Sequence, residues 1–298
     1  MQRSYTKSFI LFHFIVVIYG FTAIIGKLIH MNALQMVWYR MLFAAISLFI
    51  FLKWRKINLS IAEKDILKLI GIGLVVAFHW ITFFGAIKIA NISVTLGIMA
   101  SGTLFASILE PIFFKQRINW LEFLIGIGIV LGLYLIFSYE IHYIKGILVA
   151  ILSSILATLF TILNKSYTHK FTPTLISFYE MTGGFIGITI YLLASQQFNH
   201  ELLTPSVSDV IYMLLLGVIC TAFAFAVSVD VMKELSAYNI LLAINMEPVY
   251  GIMLAYFIFG ESEYMSGGFY IGTIVILLSV FLYPMVKARL KREKLKSA

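Results

Sequence analysis

Apolar residues run along this chain in blocks, and polar residues punctuate them at nearly regular intervals. Ten blocks are long enough to cross a bilayer: 9–29, 34–53, 66–87, 91–112, 120–138, 145–163, 174–194, 209–230, 236–258 and 266–286. A helix rises about 1.5 Å per residue and needs roughly 20 apolar residues to span the hydrocarbon. Lipid offers no partner for open backbone groups, so segments of this length are expected to be helical. The pattern predicts an all-α, polytopic membrane protein with ten transmembrane helices.

The polar connections are not alike. Those near 30–33, 88–90, 139–144, 195–208 and 259–265 carry few basic residues, whereas Lys53, Arg55, Lys56, Lys64, Lys68, Lys115, Arg117, Lys165, Lys170 and Lys233 sit on the alternate set with Arg3 and Lys7. Lys287, Arg289, Lys291, Arg292, Lys294 and Lys296 fall on that same side. Basic flanks stay cytoplasmic, which places both termini inside. The net charge of +8 over 298 residues therefore reads as an orientation signal and not as a nucleic-acid footprint. The first block lacks a small-residue cleavage pattern and is expected to remain as a helix. Membrane lipids are the expected surroundings, in a bacterial inner (plasma) membrane.

Little of the usual chemistry of soluble catalysts is present. The single cysteine, Cys220, excludes an intramolecular disulfide and a cysteine-cluster metal site. No glycine-rich phosphate loop with its lysine, zincin histidine pair or C-x-x-C is found. No metal, cofactor or nucleic-acid partner is expected, and a function has to be built from the spans.

A repeat of five spans organises the chain. Trp38-Tyr39-Arg40-Met41 in the second span matches Phe178-Tyr179-Glu180-Met181 in the seventh. Thr103-Leu104-Phe105-Ala106 through Phe114-Lys115-Gln116 matches Pro248-Val249-Tyr250-Gly251 through Phe259-Gly260-Glu261, and Gly126 matches Gly272. An odd number of spans per half reverses the second half in the membrane. Two inverted five-helix repeats are expected, over 1–142 and 143–286, followed by a basic cytoplasmic tail at 287–298. Such repeats permit alternating access, because two equivalent packings can exchange inward-open and outward-open roles.

On Trp38-Tyr39-Arg40, the small-residue fourth span, and Glu247-Pro248-Val249-Tyr250 followed by Gly260-Glu261, the chain resembles the ten-span EamA-type members of the drug/metabolite transporter superfamily over about residues 10–285. Thr103 stands where the first half would carry the proline and Gln116 where it would carry the glutamate, so a symmetric role for the glutamates is not implied. The resemblance implies a secondary carrier of a small metabolite, with amino acids or related solutes as the plausible cargo and export as the direction.

Individual residues sharpen this expectation. Glu247 lies near the midplane, where an ionised carboxylate costs roughly 2.5–3.5 kcal/mol, so it is expected in a polar cavity or protonated. His79, Trp80 and Phe83 give the third span a titratable ring and an aromatic wall, suited to proton exchange and to stacking. Tyr19, Asn91, Ser93, Tyr179, Asn239, Asn245 and Tyr250 are further candidates to line the cavity. Glu110, one residue before Pro111, is a gating or coupling candidate with His79 and Glu247. Arg40, Glu180 and Asp230 are read as structural charges, Arg40 being near enough to the outer surface to snorkel.

Gly128/Gly132, Gly183/Gly187 and Gly268/Gly272 form G-x-x-x-G faces that serve close packing within one protomer or between two. A monomer and a homodimer both remain open. The rival reading is an integral-membrane enzyme acting on a lipid or polyprenyl substrate with His79, Glu110 and Glu247 as acid–base groups. A channel and a sensor are the other rivals.

Overall fold

The computed structural model describes residues 5–117 and 119–296. Among the described residues the chain is helical with no strand: α1 Tyr5–Leu28, α2 Ala33–Trp54, α3 Glu63–Ile89, α4 Ile92–Met99, α5 Gly102–Phe113, α6 Trp120–Tyr139, α7 Ile144–Lys165, α8 Pro173–Ala194, α9 His200–Leu203, α10 Val207–Leu214, α11 Ala224–Val231, α12 Ala237–Ile244, α13 Glu247–Phe259 and α14 Gly267–Lys296. A π-helical stretch, Leu215–Phe223, joins α10 to α11 without a break in the rod.

Eight helical segments among the described residues are long and apolar enough to cross a membrane: Lys7–Leu28, Ala33–Trp54, Glu63–Ile89, Ile92–Phe113, Trp120–Tyr139, Ile141–Lys165, Pro173–Ala194 and Val207–Val231. They coincide with the first eight of the ten expected blocks. The block expected at 236–258 is divided at Asn245–Met246 into α12 and α13, each too short to span alone. Pro248 in the first turn of α13 has no N–H to continue the ladder from α12. The block expected at 266–286 is helical, but its described apolar run is Gly267–Ser279.

Local sequence explains where the rods start. Asn32 and Gln35 close a capping box on α2, Asn91 accepts from Val94 N–H at the start of α4, and Ser206 and Ser236 do the same service for α10 and α12. Tertiary packing then brings α3 against α7 and α8, α2 against α8, and α6 against α14.

Glycine makes these approaches close. A Cβ on Gly132 would lie 2.7 Å from the carbonyl oxygen of Gly272, and one on Gly272 would lie 2.7 Å from that of Gly132, so the α6–α14 seam is a backbone contact. Gly73 of α3 faces the main chain of Glu180, and Gly183 of α8 faces that of Ile70. All three G-x-x-x-G faces therefore pack inside one protomer.

Gly73→Ala is expected to destabilise the fold by about 1–3 kcal/mol, because backbone has to yield to the new methyl. Gly71→Ala is its control, with nothing within 4 Å of the added Cβ. Thermal unfolding of the purified variants in detergent checks this, and equal midpoints for both would show that the α3–α8 seam is not tight.

Candidate functional site: a central cavity

Breaks in two helices set the geometry of the centre. The first falls at Ala100–Ser101 between α4 and α5, the second at Asn245–Met246 between α12 and α13. Side chains tie the breaks together, since Asn245 Nδ2 donates to Thr103 Oγ1 at 2.5 Å. The first residues of the two following half-helices, Gly102 and Glu247, both line one cavity. Glu247 stands in the first turn of α13, the helix end that carries partial positive charge.

The cavity holds about 90 Å³ and takes its walls from both halves of the chain. Phe12, Tyr19 and Thr22 come from α1, Arg40 from α2, and His79, Trp80 and Phe83 from α3. Ser154, Ala157, Phe160 and Thr161 of α7 face them, with Phe225 and Ser228 of α11 and Ile240, Leu241 and Ile244 of α12. Its wall is a mixture of aromatic, aliphatic and polar side chains.

Arg40 is 2% exposed and its guanidinium lies 3.8 Å from the centre of the Trp80 ring. Its Nε donates to Thr221 Oγ1 at 2.6 Å, and Thr221 in turn donates to the Leu216 carbonyl five residues back, within the π-helical stretch. The widened turn thus aims a hydroxyl at the arginine. Nη1 is buried and has no hydrogen-bond partner. No ion pair joins Arg40 to Glu247 among the described residues, so the cavity wall offers both charges separately.

His79 is held by α7. Its Nδ1 lies 3.0 Å from the Ser153 carbonyl and 2.9 Å from the Ser153 hydroxyl, which is also 3.0 Å from the His79 carbonyl. Phe160 and Phe83 flank the ring, with centroids 5.3 and 6.1 Å away. Tyr19 and Ser228 share a 2.6 Å hydroxyl–hydroxyl hydrogen bond across α1 and α11.

Of the residues expected at a site, Tyr19, His79, Trp80, Phe83 and Glu247 meet in this cavity, and Arg40, expected as a structural charge, joins them. The others are placed elsewhere. Asn91 caps α4, and Ser93 donates to Glu263 through both its N–H and its hydroxyl. Tyr179 donates to the Leu59 carbonyl, Tyr250 pairs with His13, and Asn245 joins the helix breaks. The half-buried Asn239 gives its backbone N–H to Ser236. Glu110 accepts from the N–H groups of Ala237 and Tyr238 at 3.2 and 2.8 Å, which caps α12 and turns its carboxylate to backbone. His79, Glu110 and Glu247 therefore do not converge as an acid–base set.

Glu180 is fully buried on α8, where Asn164 donates to it, and it does not line the cavity. Asp230 pairs with Lys233 and borders a separate crevice of about 540 Å³ between α2, α8 and the π-helical stretch with α11. Thr22, Phe160, Thr161, Phe225 and Ser228 line the cavity without having been singled out in the sequence. A trace of α7's part is legible, because Ser154, Thr158 and Thr161 repeat at helical spacing in an apolar block.

An all-helical, multi-span membrane protein with an internal chamber is the class that this architecture defines. The model of the EamA-like transporter family matches residues 6–138 and again 144–284. The chain belongs to that family. A solved crystal structure shares the fold, with a TM-score of 0.68 at 15% sequence identity, covering 94% of this chain and 98% of that one. No curated protein matches the chain.

Thr221→Val keeps the side-chain shape but leaves Arg40 Nε without its acceptor. A loss of about 1–3 kcal/mol in stability is expected, the range for a buried donor left unpaired. An unfolding midpoint equal to the wild type's would mean that Arg40 finds another partner.

Proposed function

We propose that the protein is a secondary carrier that exports a small metabolite, an amino acid or related solute, by alternating access. The observation that carries this reading is the chamber itself, walled by both halves and holding a guanidinium and a carboxylate that are not paired with each other. A solute with a carboxylate and an ammonium could meet Arg40 and Glu247, while Trp80, Phe83, Phe160 and Phe225 would enclose its apolar part. His79 or Glu247 would exchange a proton in the cavity, and no cofactor would be required.

Paired contacts support two inverted five-helix halves, 1–142 and 143–286, within a ten-span arrangement. Tyr39 donates to the Leu202 carbonyl, and its counterpart Tyr179 donates to the Leu59 carbonyl. Glu110 caps Ala237 and Tyr238, while Glu263 caps Ile92 and Ser93 at the matching positions of the other half. Asp65 at the start of α3 pairs with Lys170, and Asp209 at the start of α10 accepts from His30. Rocking of the halves about the chamber would break one set while preserving the other. The basic connections would face the cytoplasm, with both termini inside and the protein in a bacterial inner membrane. Lipids and the solute are the only partners this reading requires, and it serves a monomer or a homodimer equally.

Counterflow in sealed liposomes tests the proposal across a panel of labelled amino acids and other metabolites. Saturable uptake driven by internal unlabelled solute is expected, and Arg40→Lys should raise the half-saturating concentration about tenfold or more, as the planar stacked fork is lost. Glu247→Gln should flatten the pH dependence of that flux. Absence of counterflow for the whole panel with folded, inserted protein would overturn the carrier reading, and an unchanged pH profile in Glu247→Gln would remove the coupling role from Glu247.

A further inference from the structure

Apart from the chamber, one acid lies inside the helical bundle with its bonding incomplete. Glu180 and Asn164 are each 0% exposed. Asn164 Nδ2 donates to Glu180 Oε2 at 3.3 Å, and the two remaining oxygens, Asn164 Oδ1 and Glu180 Oε1, have no hydrogen-bond partner. An amide and a carboxylic acid can form a two-bond ring, N–H to one oxygen and O–H to the other. Here the first bond is made, and the two atoms without partners are the pair the second bond would join. A single hydrogen on Oε1 supplies the missing donor and satisfies both.

A carboxylate in this place would instead leave both buried oxygens without a donor. The charged groups on the elements around it are engaged elsewhere. On α2, Arg40 is turned to the chamber, Thr221 and Trp80, and on α3, Asp65 is held by Lys170. Lys165, next to Asn164 on α7, donates to the carbonyls of Met232 and Leu235, and Asp230 of α11 pairs with Lys233. The α3 backbone at Gly73 seals the Glu180 main chain. Ser177, one turn earlier on the same helix face, has a buried hydroxyl without a partner, a donor at hand for the carboxylate once the hydrogen leaves.

We infer that Glu180 and Asn164 form a proton-binding site separate from the solute chamber, and that the proton exchanged there couples solute movement to the pH gradient. The binding half of this inference stands on geometry alone; the coupling half rests on the carrier reading. The site adds a proton to those exchanged in the cavity wall. It assigns a ligand to a residue whose counterpart in the other half, Arg40, faces the chamber.

Glu180→Gln is the test variant, since its amide can make the same ring with Asn164 without a titrating proton. In infrared difference spectra of the purified protein across pH, the wild type should show a carboxylic C=O band, sensitive to D2O, that is missing from Glu180→Gln. In proteoliposomes, Glu180→Gln should lose accumulation driven by an imposed pH gradient while exchanging labelled for unlabelled solute. Identical carboxylic bands in the two proteins would overturn the proton site. Equal gradient-driven accumulation in both, or none in a wild type that performs counterflow, would overturn its coupling role. If the wild type shows no counterflow with any solute, the carrier reading and with it the coupling role fail, and the infrared comparison still decides whether Glu180 holds the proton.

Discussion

Everything at the centre of this fold depends on closing the backbone of two interrupted helices. A helix start leaves N–H groups without intrahelical acceptors, and an apolar surrounding gives them none. At Ile92–Ser93 the acceptor is Glu263, and at Ala237–Tyr238 it is Glu110, each brought from the opposite half of the chain. The same interaction answers two needs, because the partial positive charge of the helix end stabilises a carboxylate that would otherwise be costly to bury. With those starts held, the interior breaks can sit at the chamber and present the next half-helices, beginning at Gly102 and Glu247, to its contents.

The two caps are equivalent in what they hold and different in where they come from. Glu110 lies within α5, whereas Glu263 lies beyond α13, in the short 3-10 turn that follows it. Lys27 adds an ion pair to Glu263 at 2.7 Å, while Lys165 engages the carbonyls that end the α11 region. Each face of the bundle is thus latched by a carboxylate on a helix start with a lysine close to it, but the two latches are built from different parts. A device of this kind can favour one of two packings by a modest free energy without making the other inaccessible.

Charge is distributed between chamber and bundle with a clear division of labour. Arg40 and Glu247 face the chamber, and Trp80 supplies a ring over which the guanidinium lies. Glu180, at the position that matches Arg40 in the repeat, is turned away from that space and bound to a single amide. The two stretches that match the family model therefore do not use corresponding positions alike. Tyr39 and Tyr179 both reach main-chain carbonyls, whereas the neighbouring Arg40 and Glu180 serve different surroundings.

Much of the architecture could be read from residue order alone. Block length and apolar content decide that the chain is helical and crosses a membrane, because transfer from water to lipid is a local property of each segment. Trp38-Tyr39-Arg40 and Phe178-Tyr179-Glu180 correspond in sequence, and Tyr39 and Tyr179 each donate to a main-chain carbonyl. The aromatic and titratable cluster at His79, Trp80 and Phe83 identified one wall of the chamber, since helical spacing places those residues on one broad face. Only the tertiary structure decided which polar groups of other helices meet that wall. Asn91, Ser93, Tyr179 and Asn245 serve caps and helix contacts, while Arg40, Thr161 and Ser228 reach the cavity. A helix carries polar side chains around its whole circumference, and the face that turns inward is set by partners far away in the chain, 127 residues for Glu110 and Ala237 and 170 for Glu263 and Ser93.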